Sequence, residues 1–203
     1  MYIPKHTLMD EHDEIIDFIR QYSFAVLIST NGGRMNATHI PVLFEKDDNT
    51  LGGLYCHIAK ANPQWQNMDE EVLVIFPGPH SYISSSWYET DQAVPTWNYL
   101  AVHVYGKINI INDREEKIKI VTGLTEFFEG SKSEYSIKDL KENYFEGLLN
   151  GIVAFKIDIT KLEGKKKLSQ NHSKERKLRV IEKLGEQKDV NAKVISELMK
   201  KNL

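Results

Sequence analysis

A chain of 203 residues with 41% hydrophobic content can bury one well-packed core and is too short for two ordinary domains. Its single cysteine, Cys56, excludes an internal disulfide and any multi-cysteine metal site, and no stretch reaches the roughly 18 consecutive apolar residues of a membrane span. The net charge of −3 excludes a general attraction to nucleic acid or to anionic membranes, and the acidic, polar N-terminal stretch is unlike a signal peptide, so we expect a cytoplasmic protein.

The first third of the sequence predicts a helix followed by three strands. Asp10 is a helix-capping residue, and apolar residues then recur at helical spacing as far as Tyr22. Strand-forming residues fill positions 24–30, 34–44 and 51–58, with turn signals between them at 31–33 and 47–49. The Gly52-Gly53 pair indicates a bulge or a close backbone approach in the third strand.

The remaining elements continue this mainly β pattern. Asn62 and Pro63 suit the cap and first position of a short helix to about residue 68. Strands are predicted over 72–76, 81–87 and 96–111, with a turn at 77–79, and six strands in series favour a closed barrel. Capping pairs predict helices over 113–128 and 136–149, followed by a last strand over 152–159 and by two helices, one over 173–184 and one after Asp189.

The charge is unevenly distributed along the chain. Between Lys165 and Lys188 there are nine basic residues and three acidic ones. We therefore divide the chain into a barrel domain with peripheral helices over residues 1–165 and a basic helical extension over residues 166–203. Basic residues on one helix could contact DNA phosphates, although such helices are more often simply solvated.

One polar cluster lies where the third strand leads into the short helix. His57, Lys60 and Asn62 follow each other closely there, and a helix N-terminus with a nearby lysine suits a phosphate monoester. The alternative is an ordinary corner in which Lys60 is solvated and His57 caps backbone groups.

A second cluster is aromatic and covers residues 78–88 and 94–99. Tryptophan and tyrosine interleaved with serine, threonine and asparagine suit a planar ligand such as an isoalloxazine ring. The alternative is a barrel core combined with a dimer contact, and Trp87 and Trp97 would serve either.

Other chemistry is less supported by the residues. The common phosphate-binding, zinc-protease and serine-hydrolase motifs are missing. His39, His57 and His103 lie on separate predicted strands, but lone strand histidines are more often core residues than metal ligands, so we predict no metal site. The run over 165–171 follows the predicted last strand and is interpreted either as a solvated basic loop or as a donor of hydrogen bonds to a ligand.

Several of these segments, in this order, resemble the PaiB-type negative transcriptional regulators of the FMN-binding split-barrel superfamily. The resemblance covers nearly the whole chain and rests on the segments at residues 1–4, 37–41, 57–65, 78–88, 94–99 and 167–171. It implies an α+β fold that is mainly β, a six-stranded antiparallel Greek-key split barrel with flanking helices. It also implies a homodimer with FMN at the interface, and repression of sporulation and degradative-enzyme genes.

The resemblance also implies positions for the cofactor contacts. The strand that contains Arg34, Asn36 and Thr38 would face the isoalloxazine, and the corner of His57, Lys60 and Asn62 would hold the phosphate. From the aromatic cluster, the partner subunit would contribute Ser81, Tyr82, Trp97 or Asn98. Ser169 and Gln170, in the loop near the C-terminus, would close the pocket.

Two other functions remain open at this stage. Split barrels of this kind also host flavin-dependent oxidoreductases, in which His39, His103 or Tyr82 could donate a proton. A barrel that binds no cofactor and acts as a dimeric interaction module is the third interpretation. No helix-turn-helix pattern is present, so DNA contact would come from the basic tail or from a protein partner.

Overall fold

The structure is a computed structural model that describes residues 1–46, 51–68 and 71–203. Within these ranges there are eight strands: β1 Leu8–Met9, β2 Phe24–Asn31, β3 Arg34–Pro41, β4 Leu43–Glu45, β5 Gly53–Ala59, β6 Glu71–Ile83, β7 Thr96–Ile111 and β8 Ile152–Lys167. The α-helices are α1 His12–Gln21, α2 Arg114–Glu129, α3 Glu142–Asn150, α4 Lys174–Gly185 and α5 Val190–Lys200. Short 3₁₀ turns occupy Lys5–Thr7, Pro63–Asn67, Ser85–Trp87 and Ile137–Asp139.

The strands form one sheet in the order β3-β2-β6-β7-β8-β5-β4, and β1 pairs with β8 outside that order. The pairings of β2 with β3, β2 with β6, β4 with β5, β5 with β8 and β1 with β8 are antiparallel. Side chains along β2 and β5 alternate between buried and more accessible positions, as expected for strands with one face on a core. The predicted α+β, mainly β organisation is confirmed; the sheet has eight strands, whereas the local signals predict seven and the resemblance implies a six-stranded barrel.

The β2–β3 hairpin forms because its turn residues tolerate positive φ. Asn31 pairs with Arg34, and Gly32 and Gly33 between them have φ of 55° and 82°. A two-residue turn with both central residues at positive φ matches the twist of the strands, and glycine adopts it without steric cost. The predicted turn is therefore confirmed, whereas the turn predicted at 47–49 lies outside the described residues.

Two strands are longer than the sequence predicts. The Pro77-Gly78-Pro79 segment is not a turn, because β6 continues through it from Glu71 to Ile83. Both prolines lie beyond Leu73–Ile75, the part of β6 that pairs with β2, and they are two residues apart, so their missing N–H groups fall on one edge of the strand. Likewise, β8 continues past the predicted end at residue 159 to Lys167, because the lysines at 165–167 contact residues from distant parts of the sequence.

The other boundaries follow local signals with small differences. The strand predicted over 34–44 is divided at Val42, whose N–H donates to the Ser23 carbonyl. The helix predicted over 136–149 is a 3₁₀ turn capped by Ser136 and then a separate α3 that begins at Glu142. The cap at Asp113, the helix starts at Ser173 and after Asp189, and the full extent of β7 are confirmed; Ser173 and Asp189 also cap their helices. No helix in the described ranges has the length and apolar character needed to span a membrane.

The chain forms two compact units. The terminal unit consists of Met1–Ile15, Pro77–Val102 and Glu163–Leu203, and the central unit consists of Ile16–Phe76 and His103–Leu162. The largest fully buried side chains of the central unit include Ile19, Leu27, Leu54, Phe76 and Phe155, and those of the terminal unit include Met9, Ile83, Leu168, Leu184 and Ile195. The predicted boundary at residues 165 and 166 falls inside β8, and the division into a barrel domain over 1–165 and a basic helical extension over 166–203 stays a prediction.

Candidate functional site

The 3₁₀ turn after β5 organises a polar corner in the central unit, made of Ser29, Thr38, Asn62 and Gln64. The side chain of Asn62 caps this turn by accepting from the Gln64 N–H at 3.0 Å, and its amide donates to Thr38 Oγ1 at 2.9 Å. The segment Pro63–Asn67 has only five residues, so it lacks the dipole of a full α-helix, and Asn62 already uses one of its free N–H groups. Phosphate binding at this corner would therefore depend on side chains.

Gln64 is the centre of the polar corner, and sequence reasoning did not select it. Its side chain is buried, with Nε2 donating to Ser29 Oγ at 3.0 Å and Oε1 accepting from Thr38 Oγ1 at 2.5 Å. Nε2 also lies 3.4 Å from the Leu27 carbonyl oxygen. The available signal was its place directly after the Asn62-Pro63 cap, where a side chain is directed back toward the preceding strands.

The charged candidates of the central unit remain accessible. Arg34 and Lys60 are exposed, and among the described residues neither side chain has a hydrogen bond or ion pair. His57 lies on β5 opposite Ala154, and its Nδ1 is buried without a hydrogen-bond partner in the described part of the chain. Burial lowers the pKa of His57, so the ring is neutral near pH 7 and its Nδ1 can donate or accept one hydrogen bond with a ligand.

In the terminal unit, aromatic residues form an open cleft, which we call the aromatic cleft. Tyr82 and Trp97 meet edge to face with ring centroids 5.8 Å apart, and His80 lies 6.1 Å from Trp97. About half of the surface of each of Tyr82 and Trp97 is exposed. The cleft has a volume of about 340 Å³ and is also lined by Ser81, Trp87, Gln187, Asp189 and Ala192. The predicted juxtaposition of Ser81, Tyr82 and Trp97 is therefore present.

Three other predicted contacts instead support a loop within the terminal unit. Asn98 is fully buried and exchanges hydrogen bonds with the Ser169 hydroxyl at 3.0 and 3.2 Å. The side chain of Gln170 accepts from the Leu168 N–H and donates to the Lys166 carbonyl, which closes a local turn. These side chains are committed to internal partners.

The lysine run at 165–167 is part of β8 and not a solvated loop. Lys165 is buried, donates to the Tyr2 carbonyl at 3.0 Å and lies 5.2 Å from the centre of the Tyr99 ring. Lys166 forms an ion pair with Glu14 at 2.7 Å, and Lys167 donates to the Thr96 hydroxyl. The contacts of this run are thus internal to the terminal unit.

Several cations of α4 are also paired. Arg176 forms a bidentate ion pair with Glu89, with its shortest N–O distance at 2.6 Å. The other ion pairs of this helix are Arg179 with Glu175 and Lys183 with Glu186. These ion pairs neutralise part of the positive charge of α4 that could otherwise contact DNA phosphates.

The twelve predicted cofactor contacts are divided equally between the units. The central unit holds Arg34, Asn36, Thr38, His57, Lys60 and Asn62, and the terminal unit holds Ser81, Tyr82, Trp97, Asn98, Ser169 and Gln170. Among the described residues there is no group of three or more histidine, cysteine or carboxylate side chains that could hold a metal ion.

Comparison with known proteins places this arrangement in a family. The model of the family described as "Putative FMN-binding domain" matches residues 1–161. This chain belongs to that family. A relative from Bacillus subtilis, the protease synthase and sporulation protein PAI 2, is 40% identical over 206 residues, which cover 100% of this chain and 98% of the relative. An uncharacterised protein of Aspergillus fumigatus is 30% identical over 83% of this chain and 85% of its own length.

Solved structures support the family's fold at low sequence identity. The FAD and heme binding protein of Mycobacterium smegmatis is 14% identical, with a TM-score of 0.58 over 85% of this chain and 78% of that one. A conserved hypothetical protein of Mycobacterium tuberculosis, also 14% identical, has a TM-score of 0.56 over 82% and 90% of the two chains. The solved structures of similar fold confirm the predicted split-barrel fold of this chain.

Proposed function

We propose that this chain binds FMN and acts, as a homodimer, in the negative control of genes for protease synthesis and sporulation. The observation that carries the proposal is the aromatic cleft, in which Tyr82 and Trp97 offer exposed apolar walls to a planar ring. The family assignment and the full-length similarity to the Bacillus subtilis sporulation protein support it. Bound FMN would supply reversible electron transfer, which would let such a regulator respond to redox state.

The described residues fit the cofactor in two respects. In the proposed homodimer, Tyr82, Trp97 and Ser81 of one copy provide ring walls and a hydroxyl for the isoalloxazine. Lys60 of the other copy supplies a cation for the phosphate, with His57 as a further hydrogen-bonding group because its buried Nδ1 lacks a partner among the described residues.

The remaining predicted contacts divide into direct and supporting ones. We keep Arg34 and Asn36 at the isoalloxazine, as the resemblance implies. We assign Thr38 to the phosphate end beside Asn62, because its hydroxyl donates to Gln64 and accepts from Asn62. We assign Asn98, Ser169 and Gln170 to holding the loop after β8, because their side chains already have internal partners. Direct contact of these three with FMN is therefore no longer part of the proposed site.

The homodimer is supported by an apolar sheet face in the central unit. Phe24 and Met35, on the accessible face of the β2–β3 hairpin, are 60% and 75% exposed. Val26 and Ile28 extend this face along β2 as half-buried residues. Apolar side chains of this size on one sheet face gain free energy when a second copy covers them.

The test of cofactor binding is a titration with FMN followed by gel filtration and visible absorbance. We expect about one flavin per chain. Replacing both Tyr82 and Trp97 with leucine should abolish retention, whereas Tyr144→Leu, an exposed tyrosine on α3, should leave it unchanged. Lys60→Met should weaken binding about tenfold, because a hydrogen bond to a charged group is lost, and Lys132→Met serves as the matched surface control. A colourless wild-type protein would refute the proposal.

The same preparation distinguishes a regulator from the rival flavin-dependent oxidoreductase. Bleaching of bound flavin by NAD(P)H with turnover would favour the oxidoreductase. A shift of promoter DNA would favour direct repression, and its dependence on salt measures how many cations take part. Because Arg176, Arg179 and Lys183 are in ion pairs, we expect removal of Lys174, Lys177 and Lys188 to eliminate most of that dependence.

The dimer is tested separately by light scattering during gel filtration. The wild-type chain should have the mass of two copies, and Met35→Glu should shift it toward one copy because a charge would be buried in the interface. A wild-type chain that remains a monomer at micromolar concentration would contradict the homodimer.

A further inference from the structure

A second cleft in the terminal unit, which we call the Tyr88 cleft, is not used by the proposed flavin site. Its volume is about 350 Å³, which lies at the lower end of the range for small-molecule sites. The loop between β6 and β7, the loop after β8 and the start of α4 form most of its wall. Its lining includes Tyr88, Val94, Lys167, Asn171, His172 and Arg176.

Tyr88 carries a polar group that the fold leaves unsatisfied. The residue is 8% exposed, and its hydroxyl is buried with no hydrogen-bond partner in the described part of the chain. The Arg176 guanidinium lies over its ring, 4.7 Å from the ring centre, and the centre of the His172 ring lies 5.8 Å away. Burial raises the pKa of Tyr88, so the hydroxyl stays protonated and can donate to a ligand.

The charges that line the cleft are basic. Lys167, Arg176 and two histidines contribute to the wall, and no carboxylate does. Glu89 neutralises Arg176, whereas Lys167 donates only to the neutral Thr96 hydroxyl among the described residues. Burial lowers the pKa of Lys167, as expected for an ammonium group that lacks a counter-ion. An anion in the cleft would supply that counter-ion.

The loop that carries this wall has a constrained backbone. Ser169 has φ of 60°, a left-handed conformation that costs energy for a residue other than glycine. The hydrogen bonds between Ser169 and the buried Asn98 hold it there. Lys167 and Asn171 lie two residues to either side, so the same constraint fixes the backbone from which both enter the cleft wall.

We propose that the Tyr88 cleft binds a small organic anion, a carboxylate or phosphate on a short apolar body. The acid group accepts from Lys167 Nζ and from the Tyr88 hydroxyl. The apolar body packs against Ala93 and Val94, which line the same cleft. This assignment goes beyond the proposed function and does not depend on bound FMN.

The test is calorimetric titration with benzoate, phenyl phosphate and, as the neutral control, benzamide. The buffer contains no phosphate or carboxylate. We expect at least one of the two anions to bind with one site per chain and benzamide to show no binding. Tyr88→Phe should weaken anion binding about tenfold without lowering the thermal unfolding temperature, because it removes a hydroxyl that has no partner in the ligand-free chain.

Lysine variants complete the test. Lys167→Met should abolish binding, Lys167→Arg should retain part of it, and Lys193→Met, at an exposed lysine on α5, should have no effect. Equal affinity of wild type and Lys167→Met, or equal affinity for the anions and benzamide, would overturn the proposal. So would displacement of the anion by stoichiometric FMN, which would show that the cleft belongs to the flavin site. Absorbance of retained flavin reports on the proposed function independently.

Discussion

Replacing Gln64 with alanine removes the centre of the polar corner and should destabilise the protein strongly. Two well-formed hydrogen bonds are lost, those to Ser29 Oγ at 3.0 Å and from Thr38 Oγ1 at 2.5 Å. Ser29 is 2% exposed, so water cannot replace its lost donor, whereas Thr38 keeps its bond from Asn62. With about 1–3 kcal/mol for the stranded Ser29 hydroxyl and about 0.5–1.5 kcal/mol for the hydrogen bond that Thr38 loses, the free energy of unfolding should fall by about 2–4 kcal/mol.

The assay is urea unfolding followed by circular dichroism. With a urea dependence of roughly 2 kcal/mol per molar, the loss corresponds to a midpoint shift of about 1–2 M. Gln66→Ala, an exposed glutamine in the same turn, is the matched control and should change stability by less than about 0.5 kcal/mol.

A second substitution tests the orientation of the Gln64 amide. Gln64→Glu keeps the size of the side chain but replaces the Nε2 donor with an oxygen facing the Leu27 carbonyl, so the loss should equal or exceed that of alanine. If Gln64→Ala unfolds at the same urea concentration as Gln66→Ala, the hydrogen bonds of Gln64 with Ser29 and Thr38 do not stabilise the protein.

Three further predictions concern other parts of the chain. Gly106→Ala should destabilise the protein by about 1–3 kcal/mol in urea unfolding, because the new Cβ would lie 2.6 Å from the Asp158 carbonyl oxygen. Gly147→Ala, in α3, meets no atom within 4 Å and should stabilise the protein by about 0.5–1 kcal/mol. A Gly106→Ala variant more stable than Gly147→Ala would refute the close packing around Gly106. Burial raises the pKa of Cys56, so a thiol reagent should modify it only in denaturant, and rapid native labelling would contradict its place in the core. The Arg176 guanidinium lowers the pKa of Glu89 to about 2 from 4.5, so the stability difference between wild type and Glu89→Gln should be complete above pH 4.5 and shrink as the pH falls toward 2; a difference that grows on acidification would exclude this ion pair.

Local signals predicted the elements whose ends are set by local chemistry. The cap at Asp113, the helix starts at Ser173 and after Asp189, and the glycine turn after β2 were readable because each depends on one or two residues. The continuation of β6 through Pro77 was not readable, because a proline interrupts a strand only where its missing N–H is needed for pairing. That depends on neighbouring strands that the local sequence does not specify.

The site was predictable in its residue types and less so in its contacts. The density of aromatic residues indicated that Tyr82 and Trp97 would lie together, and they do. The internal roles of Asn98 and Ser169 could not be predicted, because the two residues are 71 positions apart in the chain. Tyr88 lies in the aromatic cluster, but its sequence position gives no sign of a separate role, because that role depends on the absence of a partner for its hydroxyl among the described residues.

The assembly of the terminal unit from three separated segments bears on how the protein folds during synthesis. The 60 residues of His103–Leu162 are translated between its second and third segments, which takes roughly 3–12 s at typical ribosomal rates. Until Glu163 and its successors emerge, the nascent ends of β6 and β7 lack the β8 segment and helices that complete their unit. A chain cut at residue 161, where the family match ends, would keep those ends permanently incomplete and should depend on chaperones or aggregate.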